Sequence, residues 1–565
     1  MVVNKIPLLR LKQYMRINKV LNKNLILLFV IVLIAGIFRF WGLSANPSSL
    51  YWDEVSQGFN SYSILKTGHD EHNEFLPVAR FQAFGDYKAP VYIYLDVPFI
   101  AVFGETALGV RLPSAIFGTL TILVAYGLVL EMLKDHKRKQ ALALLTAFFL
   151  SISPWHVQLS RAAYEGNIAT FFTVLGIYLF FLAKNRNFLW FMLSVVSFVL
   201  GFYAFNAHRV FIPLIVIALG LFYFKDLLIK KRLAILISGC ALGLILLVPF
   251  MLYLRTPESR LRFNEVNIFS DSSIVTQSNA WIKQENNSLL ADVLHNRRVL
   301  FTFSYLKHYF DFYNPNYLFF TGDVNPRFSM QDSGELYLWE LPLLLFGAYM
   351  LIKYKKRESA FIIAWFLLAP IAAATARETP HALRSETYIP TYEIIAAFGA
   401  LGVITFLGKF KPLYRKLCYI FFGVIVLVTV VVAAHNYFAH FPIQYSGDWQ
   451  YGYKQAVLYA KAEENKYDIV AFTQEYGRPY IYVLFYGNVS PQVYWEKGVV
   501  TRDQFGFYNV LSIGKYQFRN SLVQPSDTGK RVLYVGAPDQ IPNSLRIIKT
   551  INFLNDKPAF VIATN

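Results

Sequence analysis

Long apolar runs separated by short basic clusters dominate the chain. The first runs from Leu25 to about Leu43, and others lie near 109–133, 139–154, 167–184, 188–206, 209–225, 232–254, 336–353, 359–376, 388–408 and 414–434. Each is close to the roughly 20 residues a bilayer requires. Basic clusters at Lys134–Lys139, Lys184–Arg186, Lys225–Arg232, Lys353–Arg357 and Lys409–Lys416 sit between these runs. The first 24 residues carry Lys5, Arg10, Lys12, Arg16, Lys19 and Lys23 without an acid. By the positive-inside bias all of these face the cytoplasm, which fixes about eleven spans with the N-terminus inside and the C-terminus outside. A cleaved signal peptide fits less well, because the first run is long and no small-x-small site ends it.

Val91–Phe103 is too short to span and contains Asp96 and Pro98. Counting it as a span would put Lys134–Lys139 outside, so it reads as a helix on or in the outer leaflet, within a first outer loop 44–108. The second large outer loop is 255–335. Beyond about residue 436 the composition changes to mixed charge and turn residues. A helix-like stretch, Tyr453–Glu464, precedes β-rich runs at Asp468–Phe472, Tyr480–Phe485 and Arg531–Val535. The expected fold is an all-α polytopic membrane bundle over 25–435, preceded by a cytoplasmic N-terminus 1–24 and followed by a small extracytoplasmic α/β domain, 436–565.

Composition agrees. Hydrophobic residues make up 55% and charged ones 16% of the 565, against about 45–50% and 25% in soluble proteins. The net charge of +18 is spread over the inner loops rather than gathered on one face, which argues against nucleic acid as a partner. Cys240 and Cys418 both belong to apolar runs, so no disulfide framework or thiolate metal site follows. No internal repeat is evident.

The polar residues that could do chemistry fall at one side of this topology. Tyr51-Trp52-Asp53-Glu54 places adjacent carboxylates beside aromatics just beyond the first span, where desolvation favours a general base. Asp53 could equally be the N-cap of the helix suggested by Val55, Phe59, Tyr62 and Leu65. In Gly85-Asp86-Tyr87-Lys88-Ala89-Pro90, Lys88 is placed to meet a lipid phosphate or simply to snorkel. Ser153–Asn167 contains His156, Arg161 and Glu165, and Tyr203, His208, Arg209 and Arg384 lie between later spans. Arginines at span ends often only anchor the helix. A cation cluster beside carboxylates nevertheless suits transfer from an anionic lipid donor, because the departing phosphate leaves charge that fixed cations stabilise. His69-Asp70-Glu71-His72 with Glu74 has the residue types of a divalent-metal site but also of a solvated acidic run. No cofactor is firmly implied.

The ordered series Trp52-Asp53-Glu54, Asp86-Tyr87-Lys88-Ala89-Pro90, Arg111-Leu112-Pro113-Ser114-Ala115 and Ser153-Pro154-Trp155-His156 to Arg161 resembles family 39 glycosyltransferases. These are the dolichyl-phosphate-mannose protein mannosyltransferases and the aminoarabinose lipid A transferases of the C-type membrane superfamily. The resemblance covers roughly residues 25–435. It implies a polyprenyl-phosphate-linked sugar donor, a protein, lipid or glycan acceptor, and an active site on the extracytoplasmic side of the plasma membrane. By resemblance Asp53 is the base or acceptor-positioning residue, with Glu54 beside it, and Lys88 approaches the donor phosphate with Arg161, Arg209 and Arg384. Glu165, Tyr203, His208 and His156 are implied to line the cavity or meet the acceptor. Ala89 replaces the first proline of the family's usual pair. Loop 255–335, about 80 residues long, is too short for an inserted β-trefoil, which points to a bacterial or archaeal enzyme.

Within the same loop, Asn316–Asp323 followed by Arg327 could shape the acceptor side or form a structural turn. Two other readings compete with inverting sugar transfer. A lipid-linked sugar flippase or other transporter would carry ionisable residues in the middle of its spans, whereas these spans are mostly clean there. A polymerase or ligase using a lipid diphosphate donor would need a similar cation cluster.

Overall fold

A computed structural model of the chain describes residues 6–84, 86–259, 266–502 and 508–565. Residues 1–5 of the basic N-terminus, Gly85 of the lysine motif and 260–265 of the large loop lie outside these.

The first helices are α1 (Ile6–Phe40), α2 (Trp52–Thr67), α3 (Pro90–Phe103), α4 (Ala107–Met132), α5 (Lys139–Ile152), α6 (Pro154–Arg161), α7 (Glu165–Asn185), α8 (Trp190–Ala204), α9 (Asn206–Leu227) and α10 (Lys230–Tyr253). All eleven apolar runs become helices, but fewer are long enough to cross a bilayer. Among the described residues six helices are long and apolar enough, and α5 with α6, bent by 57°, would make a seventh. The expected count of eleven is thus not reached by length. Four of the runs form shorter or broken helices: α8, Glu340–Tyr354, Arg357–Leu368 with Pro370–Ala373, and Thr391–Leu407. Proline explains one of them, because Pro370 lacks the N–H that would continue the preceding helix.

Helix α7 is the centre of the bundle, its apolar window 83% buried, whereas no residue of Pro412–His435 is buried. Helices Glu340–Tyr354 and Thr391–Leu407 cross backbone to backbone. A Cβ on Gly347 would collide with the Ile395 carbonyl oxygen, and one on Gly399 with that of Leu343. Small residues make such close helix crossings possible in a membrane bundle. Helix α3 forms where expected and buries Val91, Tyr92, Ile93, Asp96 and Ile100, packed on α2 and α4.

A hairpin of β1 (Phe81–Ala83) and β2 (Asp86–Lys88) presents Lys88. Among the described residues the C-terminal part carries seven strands: β3 (Ile469–Thr473), β4 (Gly498–Arg502), β5 (Tyr508–Ile513), β6 (Tyr516–Arg519), β7 (Val532–Gly536), β8 (Arg546–Asn552) and β9 (Pro558–Thr564). They form one sheet in the order β4-β5-β6-β3-β7-β9-β8, with β3 parallel to both β6 and β7 and the other pairs antiparallel. Every residue of β3 is buried, as its unbroken apolar run requires of a central parallel strand. The expected helix at Tyr453 and the strands near 468 and 531 are present. Tyr480–Phe485 is a correction: it lies in a helix, Pro479–Tyr486, started by Pro479 and buried along its whole length. A fully buried run has no periodicity to separate strand from helix, and proline at the first helical position decided it. This helix packs on α2, where a Cβ on Gly58 would lie 2.7 Å from Phe485 and 2.6 Å from Val110.

Candidate functional site

Helix α2 begins at Trp52, with Tyr51 in extended conformation before it, so Asp53 and Glu54 lie in the first turn rather than at the cap. Carboxylates there are favoured by the exposed N–H groups and the helix dipole. The two then take different partners. Asp53 pairs through Oδ1 with Lys88 Nζ, and Lys88 is buried while the Asp53 side chain remains 27% exposed. The lysine also lies over the Phe84 ring, 5.4 Å from its centre.

Glu54 is fully buried and saturated. Its Oε1 accepts from Arg111 Nε at 2.8 Å and the Ala163 N–H at 3.0 Å. Its Oε2 accepts from Arg111 Nη2 at 2.9 Å and the Tyr51 N–H at 3.3 Å. Four donors fill the lone pairs of a carboxylate. Arg111 completes its own fork on the carbonyls of Leu43, Pro47 and Ser49. One buried pair therefore ties the first loop, α4 and the segment before α7 together, and brings 44–90 and 153–167 to the same end of the bundle.

Arg161 is also committed. Its guanidinium donates to the carbonyls of Phe38, Trp41 and Asn46 at 2.7–2.8 Å and stacks on Phe438. Carbonyls at the end of a helix have no intrahelical donor, and Arg161 supplies it for α1. His156 is buried, its Nδ1 2.7 Å from Arg39 Nη2, and Arg39 also donates to the carbonyls of Ala35, Leu150 and Ser151. Tyr203 joins α8 to α10 by donating to the Leu246 carbonyl at 3.0 Å and accepting from the Phe250 N–H at 3.1 Å. His208 Nε2 is 3.5 Å from Thr170 Oγ1, and Arg209 lies over Phe250 at 4.7 Å.

Glu165 opens α7, close enough to Tyr51 to act on it electrostatically. Arg384 stands near Asp323, whose carboxylate accepts the N–H groups of Asn325 and Ala382 at 2.9 and 2.8 Å. Burial raises the pKa of Asp323 against those bonds, and burial with the nearby Asp323 charge raises that of Glu335.

The His69–Glu74 run is used structurally. Asp70 Oδ1 accepts from the N–H groups of His72 and Glu74, and Glu71 bonds Asn60 and the Tyr480 hydroxyl at 2.9 Å each. Among the described residues no three His, Cys, Asp or Glu side chains converge as a metal would need.

The C-terminal domain reaches the same place. Gln450 Oε1 accepts the Trp52 N–H at 3.0 Å and the Tyr482 hydroxyl at 2.6 Å. Arg327 stacks over Tyr51 and Trp52 at 5.4 and 5.0 Å, and Arg478 over Phe84 at 5.7 Å. Arg327 was a sequence candidate for the acceptor side and Arg478 was not; the ring that each covers depends on the tertiary fold.

Comparison with known proteins finds similar folds and one similar family. The fold is similar to that of ArnT from Cupriavidus metallidurans in the apo state, with a TM-score of 0.53 and 12% identity over 96% of this chain and 97% of that one. ArnT from the same organism bound to undecaprenyl phosphate gives 0.51 at 12% identity, with the same coverage. The Archaeoglobus fulgidus oligosaccharyltransferase tethered with an acceptor peptide containing the NVT sequon gives 0.50 at 14% identity, over 82% of this chain and 63% of that one. No curated protein matches the sequence. Residues 29–265 match the family model described as dolichyl-phosphate-mannose-protein mannosyltransferase. Over that segment the chain is thus similar to dolichyl-phosphate-mannose-protein mannosyltransferases, and over nearly its whole length it has a fold similar to that of ArnT.

Proposed function

We propose that this enzyme moves a sugar from a polyprenyl-phosphate donor to an acceptor hydroxyl with inversion, at the extracytoplasmic face of the plasma membrane. The observation that carries the reading is the Asp53–Lys88 pair at the start of α2. Lys88 sets a compact cation beside Asp53, the kind of group that attracts a phosphate oxygen. The acceptor hydroxyl attacks the anomeric carbon as its bond to the phosphate oxygen breaks. Asp53 takes the hydroxyl proton or orients the hydroxyl, and polyprenyl phosphate leaves as an anion without acid help.

The division of labour between the two carboxylates follows from their partners. Asp53 retains solvent access and one cation, as a base requires. Glu54, saturated by Arg111 and two backbone N–H groups, acts as a positioning residue that fixes the first turn of α2. In this reading Arg161 positions the end of α1 rather than touching the phosphate, and Tyr203, His208, Arg209, Arg384, Glu165 and His156 shape the surrounding walls.

The eleven-helix arrangement, with basic clusters inside, would put this end of the bundle outside the cytoplasm. The same arrangement divides the chain into the N-terminus 1–24, the bundle 25–435 and the outer domain 436–565. A protein, lipid or glycan hydroxyl would be the acceptor.

The test is transfer by purified enzyme in nanodiscs, supplied with a panel of labelled lipid-phosphate sugars. Asp53→Asn is expected to abolish product while leaving the melting temperature within about 2 °C; full activity of that variant would reject the assignment. Reporter fusions at loops 44–108 and 153–167 check the orientation.

A further inference from the structure

We propose that a cavity between the helices Thr391–Leu407 and Pro412–His435 seats an acyl chain of an anionic phospholipid, and that Lys409, Lys411, Arg415 and Lys416 hold its head group at the end of the bundle opposite Asp53. The ligand is a resident membrane lipid, neither donor nor acceptor, so the inference stands apart from the sugar-transfer reading.

No residue of Pro412–His435 is buried, yet the helix leads directly into Tyr437, which is buried and bonds both Gln158 and Asn46. A cavity of about 700 Å³ separates this helix from α1, α5, Glu340–Tyr354 and Thr391–Leu407. Phe38, Phe149, Leu343, Val403 and Leu427 are among its lining residues, none of which is charged. Water gains nothing there, because it needs two or more polar partners. In a bilayer the natural filling is hydrocarbon. From Cys418 to Val430, both lining residues, the helix rises about 18 Å, against about 15 Å for half of the hydrocarbon core. That depth is one leaflet, which a phospholipid chain matches and a long polyprenyl tail overruns.

Gly423 keeps the space open. Glycine weakens a helix interior, and close helix crossing is a common reason to keep one. Gly347 and Gly399 serve such a crossing, but a Cβ on Gly423 would meet no atom within 4 Å. Gly423 lines the cavity.

Charge marks one mouth. The cavity reaches Leu407 and Cys418, and the four cations lie between those residues with no acid among them. Lys409, Lys411 and Lys416 are exposed, and among the described residues none of the four forms an ion pair. Arg138, in the turn before α5, donates to Thr405 Oγ1 at 2.7 Å and brings a fifth cation to the same mouth. A basic pocket between spans binds an anionic head group, whereas a basic span end without a cavity attracts the membrane surface at large. Helix α10, mostly exposed and preceded by Lys225–Arg232, has such an end and is the reference.

The experiment places purified full-length enzyme in nanodiscs with phosphatidylglycerol or phosphatidylcholine carrying a diazirine in the acyl chain, and maps the photocross-links by peptide mass spectrometry. Phosphatidylglycerol is expected to label 400–407 and 418–430 about tenfold or more over phosphatidylcholine, and to show no such preference on α10. Lys409→Gln, Lys411→Gln and Lys416→Gln together should remove the preference. Gly423→Leu, which fills the cavity, should suppress labelling there by both lipids, whereas Gly423→Ala should retain the preference and guards against a folding defect. Equal labelling by the two lipids, or a preference no greater than on α10, would overturn the site. Displacement of the phosphatidylglycerol probe by equimolar undecaprenyl phosphate would give the cavity to the donor chain and overturn it as well. Cross-links joining Pro412–His435 of two copies would do the same, with a second copy as the cover.

Discussion

Gly477 lies against the indole of Trp52 so closely that a Cβ there would collide with the ring. The backbone at Gly477 also has φ of 111°, a conformation that side chains oppose. The C-terminal domain is therefore seated on the residue next to Asp53 through a contact that only glycine permits. Gly477→Ala is expected to destabilise the enzyme by about 2 kcal/mol or more, from overpacking and backbone strain together. It should also lower transfer by displacing Trp52. Thermal unfolding in detergent and product formation at saturating donor check both, and an alanine variant with wild-type values would mean that the indole is free to move.

The Glu54–Arg111 pair gives a different signature. Both side chains are fully buried, so removing one partner leaves the other charged and uncompensated. Arg111→Ala is expected to cost about 3–5 kcal/mol and to lower expression sharply. Replacing both residues, as Glu54→Gln with Arg111→Met, should recover a good part of that stability. Transfer by the double variant should return in step with its folded fraction. A stably folded Arg111→Ala enzyme would show that the pair does not carry the junction.

The helices were legible because hydrophobic run length is a local property of the chain. Asp53 and Lys88 were legible only as candidates, since each sits in a short motif of its own. What joins them was not. Glu54 and Arg111 are 57 residues apart, and nothing in either motif says that one satisfies the other. Arg161 read as a phosphate ligand because its charge is visible in the sequence, whereas the unsatisfied carbonyls of α1 that claim it appear only once the helix ends. Tyr480–Phe485 misled for another reason: β-branched and aromatic residues buried on all sides carry no period, so Pro479 was the better guide. The contact of Arg478 with Phe84 was invisible because it depends on how the C-terminal domain is seated.

Lys88 separates binding from positioning. If it holds both Asp53 and the donor phosphate, Lys88→Met should raise the donor KM and lower kcat together, by at least about tenfold in each. Lys88→Arg should keep the charge yet fail to restore the geometry, recovering donor affinity more than turnover. Steady-state kinetics at varied donor concentration distinguish these. A variant impaired only in KM would leave Asp53 without need of its lysine.

Glu386 provides a pH test outside the reacting pair. It begins the short turn Glu386–Tyr388, fully buried, and among the described residues neither of its carboxyl oxygens has a hydrogen-bond partner. Burial pushes its pKa well above the ordinary 4.5. The folded state thus keeps the proton to higher pH than the unfolded chain. Its contribution is present in full below about pH 4.5 and is lost as pH rises through the folded value, with a slope of about 1.4 kcal/mol per pH step between the two. Glu386→Gln removes the titration while preserving shape, although its buried amide lowers stability at every pH. The melting temperature of the wild type is therefore expected to fall more steeply between about pH 5 and 8 than that of the variant. Parallel curves for the two proteins would show that water or a neighbouring group satisfies the ionised carboxylate.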